Sequence, residues 1–250
     1  MFIIKNIFLL LLSGWCFGLN GYELASQIDN RKTPIDSKMN LEMHLTNKKG
    51  KTRSYTLYSV AKDNATKQMI WFIAPPDDKG ISFLKIEYDN KDDEMRIWLP
   101  AFKKIRRISA TKRSDSFMGS DMSYEDLSSR QLNEHTFKIL NQEIYDSIPC
   151  YLLEAIPNKN ILTQYSRHIT WVDTTSLLPI KEESFDKNGI LLKEKIYNYI
   201  NIKGYDVLSK IYVKNSQKQH STAIQFKNIE LDTKIKDTFF HERNLKRLPK

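Results

Sequence analysis

The residues able to do chemistry are scattered along the chain. The five histidines, His44, His135, His168, His220 and His241, match neither the H-x-x-x-H spacing of a zinc helix nor a cysteine–histidine ligand set. Adjacent acids occur at Asp77–Asp78, Asp92–Asp93, Glu125–Asp126 and Glu182–Glu183. Two carboxylates can cleave a glycosidic bond. The first two pairs, however, fall in turn sequences, where aspartate bonds its own backbone. There is no G-x-S-x-G elbow and no glycine-rich phosphate loop. Cys150 sits inside the alternating run "IPCYLLEAIP" and is expected as a buried, inert thiol. No catalytic residues, metal site or cofactor are expected, and an envelope-polymer hydrolase ranks last among the functions considered.

What is concentrated is positive charge. Lys103, Lys104, Arg106, Arg107, Lys112 and Arg113 lie in a stretch without a single acid, interleaved with Phe102, Ile105 and Ile108. This reads either as the solvated face of an amphipathic strand or as a docking strip. Arginines in such a strip grip phosphate or an acidic partner through their planar forks. The formal charge of the whole chain is +9, which attracts anionic surfaces. Nucleic acid is not an expected partner, since no zinc finger, RNA-binding signature or basic helix is present.

The elements that must position these residues are strands. From residue 38 onward the pattern has period two: Met39, Leu41, Met43 and Leu45 share one face, and Asn40, Glu42, His44 and Thr46 the other. Eleven or twelve such runs follow one another, separated by short turns such as "NKKGK" and "DDKG". An antiparallel meander is expected, curled to manage its edges. Between Ser116 and His135 the alternation stops. There Ser120 or Asp121 is expected to cap a short helix over 124–132. Further short helices are expected in "YELASQIDNRK" and near Asp237. Composition is even and no linker interrupts it, so residues 19–250 read as one domain.

The first residues are read as a secretory signal peptide, residues 1–18. Lys5 precedes the uncharged apolar run Ile7 to Phe17, which is too short to span a bilayer comfortably. Cleavage is expected after Gly18, with Gly21 the alternative. Trp15 directly before Cys16 disagrees with a lipobox, so lipidation is not expected. Export places the mature chain in the periplasm, with Cys150 as its one cysteine.

Two stretches carry a resemblance. "RIWLPAFKKIRRI" followed by "SFMGSDMSYED" resembles the outer-membrane lipoprotein-sorting protein family, the LolA-like group, in the branch linked to RND-type exporters. "WFIAPPDDKGISFLKIEY" and "LPIKEESFDKNGILLKE" fit the same family. The resemblance implies a mainly β (α+β) fold: an incomplete antiparallel β-barrel of about eleven strands, with short helices lidding a hydrophobic cavity. It implies a non-catalytic carrier of lipid or lipoprotein acyl chains. By resemblance Trp98, Leu99, Pro100, Arg106, Arg107, Phe117, Met118, Gly119, Ser120, Asp121, Tyr124, Glu125 and Asp126 form the family motif, without individual roles.

On that footing Trp98, Phe117, Met118, Met122 and Tyr124 are expected to line a pliable lipid site, since methionine adapts to irregular shapes; the alternative is that Phe117, Met118 and Met122 are ordinary core. Gly119 would allow a sharp turn. Lys103, Lys104, Arg106 and Arg107 are expected to hold an anion or partner, with Asp121, Glu125 and Asp126 pairing with the arginines when the site is empty. The function expected is a periplasmic carrier serving lipoprotein sorting or an RND-type lipid exporter. The alternative is a cargo-free scaffold that docks such a complex through the basic strip.

Overall fold

A computed structural model describes residues 19–88 and 91–249; the expected signal peptide lies outside the described residues. The chain forms one helix, α1 (Gly21–Asp29), and thirteen strands. These are β1 (Asp36–Thr46), β2 (Thr52–Lys62), β3 (Lys67–Ala74), β4 (Ser82–Ile86), β5 (Glu94–Leu99), β6 (Lys104–Arg107), β7 (His135–Tyr145), β8 (Ile148–Pro157), β9 (Tyr165–Asp173), β10 (Pro179–Asp186), β11 (Leu191–Ile202), β12 (Tyr205–Asn215) and β13 (His220–Leu231). The strand outside the counted alternating runs is β6, four residues of which three are charged, within the basic stretch whose first reading was an amphipathic strand.

All thirteen strands pair antiparallel in one open sheet, ordered β6-β5-β4-β3-β2-β1-β13-β12-β11-β10-β9-β8-β7. The long-range closure is β1 against β13, which joins the first meander to the second. The sheet does not close on itself: β6 and β7 are its two free edges. Both are blunted in familiar ways, β6 by its charge and shortness, β7 by a bulge between Ile139 and Gln142.

Two apolar layers follow from the period-two alternation. On the concave face Met43, Leu57, Phe72, Phe83 and Met95 join Val213 and Ile224. On the convex face Val60, Met69, Trp71 and Leu84 are covered by Ile235, Phe240 and Leu245 of the C-terminal tail. The short turn expected near Asp237 is present as a 3-10 turn, Asp237–Phe239.

Helix α1 forms as the sequence suggests. Asn20 accepts from the Glu23 amide, and Glu23 reaches back to the Asn20 amide, a complete capping box. Leu24 and Ala25 bury against Leu153 and Val172. Gly21 packs so closely on β7 that a Cβ there would meet the Phe137 backbone at 2.5 Å. The helix therefore braces β7 and β8 and does not lid the hollow.

The second expected helix, over 124–132, is absent. Its place is taken by two 3-10 turns, Glu125–Leu127 and Leu132–Glu134, with Ser128 extended between them. The Asp126 side chain is drawn into the sheet's opposite wall, and the chain cannot wind on past it. What covers the concave face is an irregular strap, residues 108–134.

Candidate functional site

The strap is a small hairpin. Ser116 bridges Ser123, the Phe117 amide donates to the Met122 carbonyl at 2.7 Å, and the Tyr124 and Glu125 amides donate to the carbonyls of Asp115 and Arg113. Its tip turns at Met118 and Gly119, both at positive φ (52° and 79°), closed by the Ser120 amide on the Phe117 carbonyl at 3.0 Å. Two successive residues at positive φ make the mirror-image turn that suits hairpins, and glycine takes its second position without strain.

One side of this hairpin is oily. Phe117 lies 5.4 Å from the Phe83 ring, edge to face, 5.7 Å from Tyr124 and 6.0 Å from Phe72. Tyr124 is 5.7 Å from Phe83. Such aromatic pairs add roughly 0.5–1.5 kcal/mol each beyond area burial. Met122 is buried in the same cluster and Met118 packs against it half-buried. Four of the five residues expected in a lipid site are thus brought together. They fill the hollow: the concave apolar wall is occupied by the protein's own strap.

Trp98 is not with them. Period two puts it on the opposite face of β5 from Met95, beside Arg96, which pairs with Glu242 of the tail. The Trp98 indole packs half-buried against the convex layer, with the Lys246 ammonium 5.4 Å above its ring.

The other side of the strap is acidic, and each acid grips the far half of the sheet. The Asp121 amide donates to Thr222 Oγ1 at 2.9 Å, whose hydroxyl returns a bond to Asp121 Oδ2 at 2.7 Å; His220 Nδ1 lies 2.7 Å from the same oxygen. Glu125 accepts from the Thr163 hydroxyl and the Gln164 amide. Asp126 receives Lys193 and Lys195, each at 2.6 Å, and the Tyr165 hydroxyl at 2.9 Å. The expected pairing of these acids with Arg106 and Arg107 does not occur. Those arginines lie exposed on the edge strand β6, Arg106 resting 5.5 Å over the Phe102 ring. Lys103 and Lys104 are exposed at its start.

Asp126 heads a buried network. Lys195 also reaches Glu182 at 3.1 Å, and Arg130 holds Glu182 at 2.6 Å. His168 Nδ1 sits 2.9 Å from Ser184 Oγ and 3.6 Å from Glu182. The side chains of Asp126, Glu182, Lys193 and Lys195 are 2–6% exposed. Burial alone would push the Asp126 carboxyl up, but Lys195 and Lys193 overrule it and hold it far below the usual carboxylate range. Glu182 goes the same way, held down by Arg130 and Lys195 against its burial. Burial, assisted by the Arg130 charge, lowers His168 to about 4, so it is neutral at physiological pH. Glu125 is raised by burial, which outweighs its bonds from Thr163 and Gln164 and the pull of Lys193.

The concave surface is therefore oily over β1–β5, β12 and β13, and ionic over β9–β11. The second half was not legible in the sequence. In "ILLKEKIYNYI" both parities mix charge with apolar residues, so alternation does not say which face Lys193 and Lys195 take.

Several cavities open along the strap and the sheet. One of about 470 Å³ lies between Asp93, Arg113, Ser128–Gln131, Leu162 and Tyr165. A second, about 570 Å³, opens at the strap tip between Lys48, Lys49, Gly119, Lys218 and His220. A third, about 310 Å³, opens at the opposite end, where Met39, Tyr199, Leu208 and Phe226 line it. Cys150 is fully buried, and burial raises its thiol pKa. Among the described residues no group of three or more His, Cys, Asp or Glu is placed to hold a metal ion, and no helix is long and apolar enough to cross a membrane.

Comparison with known proteins fits this architecture. A family model described only as "Uncharacterized protein" matches residues 64–247. No curated protein matches the chain. Among solved structures, a DUF1329 family protein from Desulfovibrio piger is similar at 30% identity and TM-score 0.85, over 90% of this chain and 97% of that one. A protein domain from Vibrio parahaemolyticus, named for outer membrane lipoprotein sorting, is similar at 28% identity and TM-score 0.86, over 91% and 98%. A LolA superfamily protein from Nitrosomonas europaea shares the fold at 19% identity and TM-score 0.72, over 90% and 99%. The chain belongs to the DUF1329 family, and it is similar in fold to outer-membrane lipoprotein-sorting and LolA superfamily proteins.

Proposed function

We propose that this protein is a periplasmic carrier of lipid or lipoprotein acyl chains, serving lipoprotein sorting or an RND-type exporter. One observation carries the reading. The apolar concave wall is covered by a hairpin strap held through side chains, where a sheet strand or a packed helix would have sealed it. The covering residues, Phe117, Met118, Met122 and Tyr124, are of the kinds that repack around an alkyl chain. An acyl chain gains about 0.8 kcal/mol per buried CH₂, a gain of the same order as the contacts of the strap residues it would displace. The Vibrio relative's name and the shared fold support the same reading.

Native mass spectrometry of protein isolated without detergent tests this. The carrier reading expects a population one lipid mass heavier, and expects Phe117→Ala to enlarge that population while lowering stability by about 3–5 kcal/mol. A bare chain in both proteins would remove the carrier role. The filled hollow favours one second reading, a scaffold that holds an envelope complex and carries nothing. A scaffold would show the same loss of stability in Phe117→Ala and no bound mass.

A further inference from the structure

Strand direction sorts the turns into two ends. Because every neighbouring pair is antiparallel, the turns after β1, β3, β5, β8, β10 and β12 all lie at one end of the strands. All six carry an exposed lysine: Lys48, Lys79, Lys103, Lys159, Lys187 and Lys218. The acids at these turns are Asp77, Asp78 and Asp186; Asp78 is already taken by Arg53 at 2.6 Å, and Asp186 by the Gln217 amide at 2.8 Å. The turns at the other end mix signs, with Asp63, Asp92, Asp146 and Asp232 against Lys91, Lys203 and Lys234.

A second observation falls at the same end. Phe102, Leu162 and Ile190 sit in three of these lysine-bearing turns and are 62%, 62% and 57% exposed. Arg106 rests over Phe102, and the opposite end carries exposed apolar residues too, Ile35 (64%) and Ile144 (75%), but there they stand among turns of mixed charge. Large apolar side chains flanked by lysine at loop tips are the composition that enters the headgroup region of a bilayer while the ammonium groups meet lipid phosphates. The 570 Å³ cavity at the strap tip opens within this rim, beside Lys48, Lys49 and Lys218.

We propose that this rim is a docking surface for an anionic lipid bilayer, which it meets with the strap tip facing the membrane. The surface is distinct from the strip Arg106–Arg107, which runs down the β6 edge away from the rim. The inference goes beyond the carrier reading, since a scaffold without cargo would dock in the same way.

Vesicle flotation of the full mature chain tests it. Three proteins are compared: wild type, Lys48→Glu/Lys49→Glu/Lys218→Glu, and Arg106→Glu/Arg107→Glu. Each is floated with pure phosphatidylcholine and with phosphatidylcholine containing phosphatidylglycerol. The altered side chains are exposed, and circular dichroism confirms that each variant folds. Wild type is expected to float with the anionic vesicles only, and to be released by salt. The rim variant is expected to lose at least about tenfold in partitioning, and the edge variant to stay within about twofold of wild type. A Phe102→Asp/Leu162→Asp/Ile190→Asp variant is expected to lose binding as well. Failure of wild type to float, as a rim made for an acidic protein would give, overturns the proposal. So does equal flotation with neutral vesicles, or a loss in the edge variant as large as in the rim variant.

Discussion

His168 stays neutral because it is buried among the Arg130 and Lys195 charges, and that neutrality makes the fold sensitive to acid. Its pKa falls from about 6.5 when unfolded to about 4 in the native state. Between those values the unfolded chain binds a proton that the native chain refuses. The stabilisation is therefore complete above about pH 6.5 and is lost as pH falls toward 4, amounting to about 3 kcal/mol. Denaturant titrations of His168→Gln are expected to show a flatter stability profile across that window than wild type; an unchanged slope would place the acid sensitivity elsewhere. Asp126 and Glu182 act in the same direction at lower pH, because both are held below their unfolded values by lysine and arginine. Asp126→Asn leaves Lys193 and Lys195 buried with less to balance them. It is expected to cost about 3–5 kcal/mol by chemical denaturation. The sequence pointed to Asp126 as part of a motif, but it gave no sign that the partners were lysines from strands far along the chain. Those partners depend on which way β11 faces, and a strand charged on both parities does not declare it.

At the scale of elements, the strap is where sequence reading and structure part most. Loss of alternation between Ser116 and His135 marks where the strap ends, while the strap itself begins earlier, at residue 108, directly after β6. The residues that fill the hollow, Phe117, Met122 and Tyr124, were legible as apolar positions in a polar run. The helix expected over 124–132 fails because Glu125 and Asp126 are spent on tertiary contacts, which local propensity cannot anticipate. Trp98 stands apart from the other expected lipid-site residues because the resemblance supplies a motif without its geometry; the parity of β5 separates it from Met95 and Ile97. The first element fares better. On the proposed removal of a signal peptide, the capping box Asn20–Glu23 and the tight seat of Gly21 on β7 need Asn20 and Gly21 to be retained. Cleavage after Gly18 keeps them, while cleavage after Gly21 removes the cap. N-terminal sequencing of the exported protein is expected to begin at Leu19. A start at Tyr22 would mean that α1 forms without its cap, at a cost of about 1 kcal/mol.

At the scale of the molecule, the antiparallel meander and its short turns were written plainly in the period-two pattern, and β6 stood outside the counted runs because charge masked it. The open sheet then gives the protein its two asymmetries. Across the sheet, an oily half faces an ionic half, and the strap spans both, apolar on one side and acidic on the other. Along the strands, both ends carry exposed apolar side chains, but the lysine-rich turns lie at one end and turns of mixed charge at the other. Neither asymmetry is visible in composition, which reports only a net positive charge. The strap is the part that must give way if acyl chains are carried, and amide hydrogen exchange reads it directly. The informative amides are those of Phe117, Ser120, Tyr124 and Glu125, now bonded within the hairpin. On saturation with a long-chain acyl ligand they are expected to exchange faster while those of β1–β3 do not change. Amides that stay equally protected, or become more so, would mean that the hollow never opens and that the protein carries no chain there.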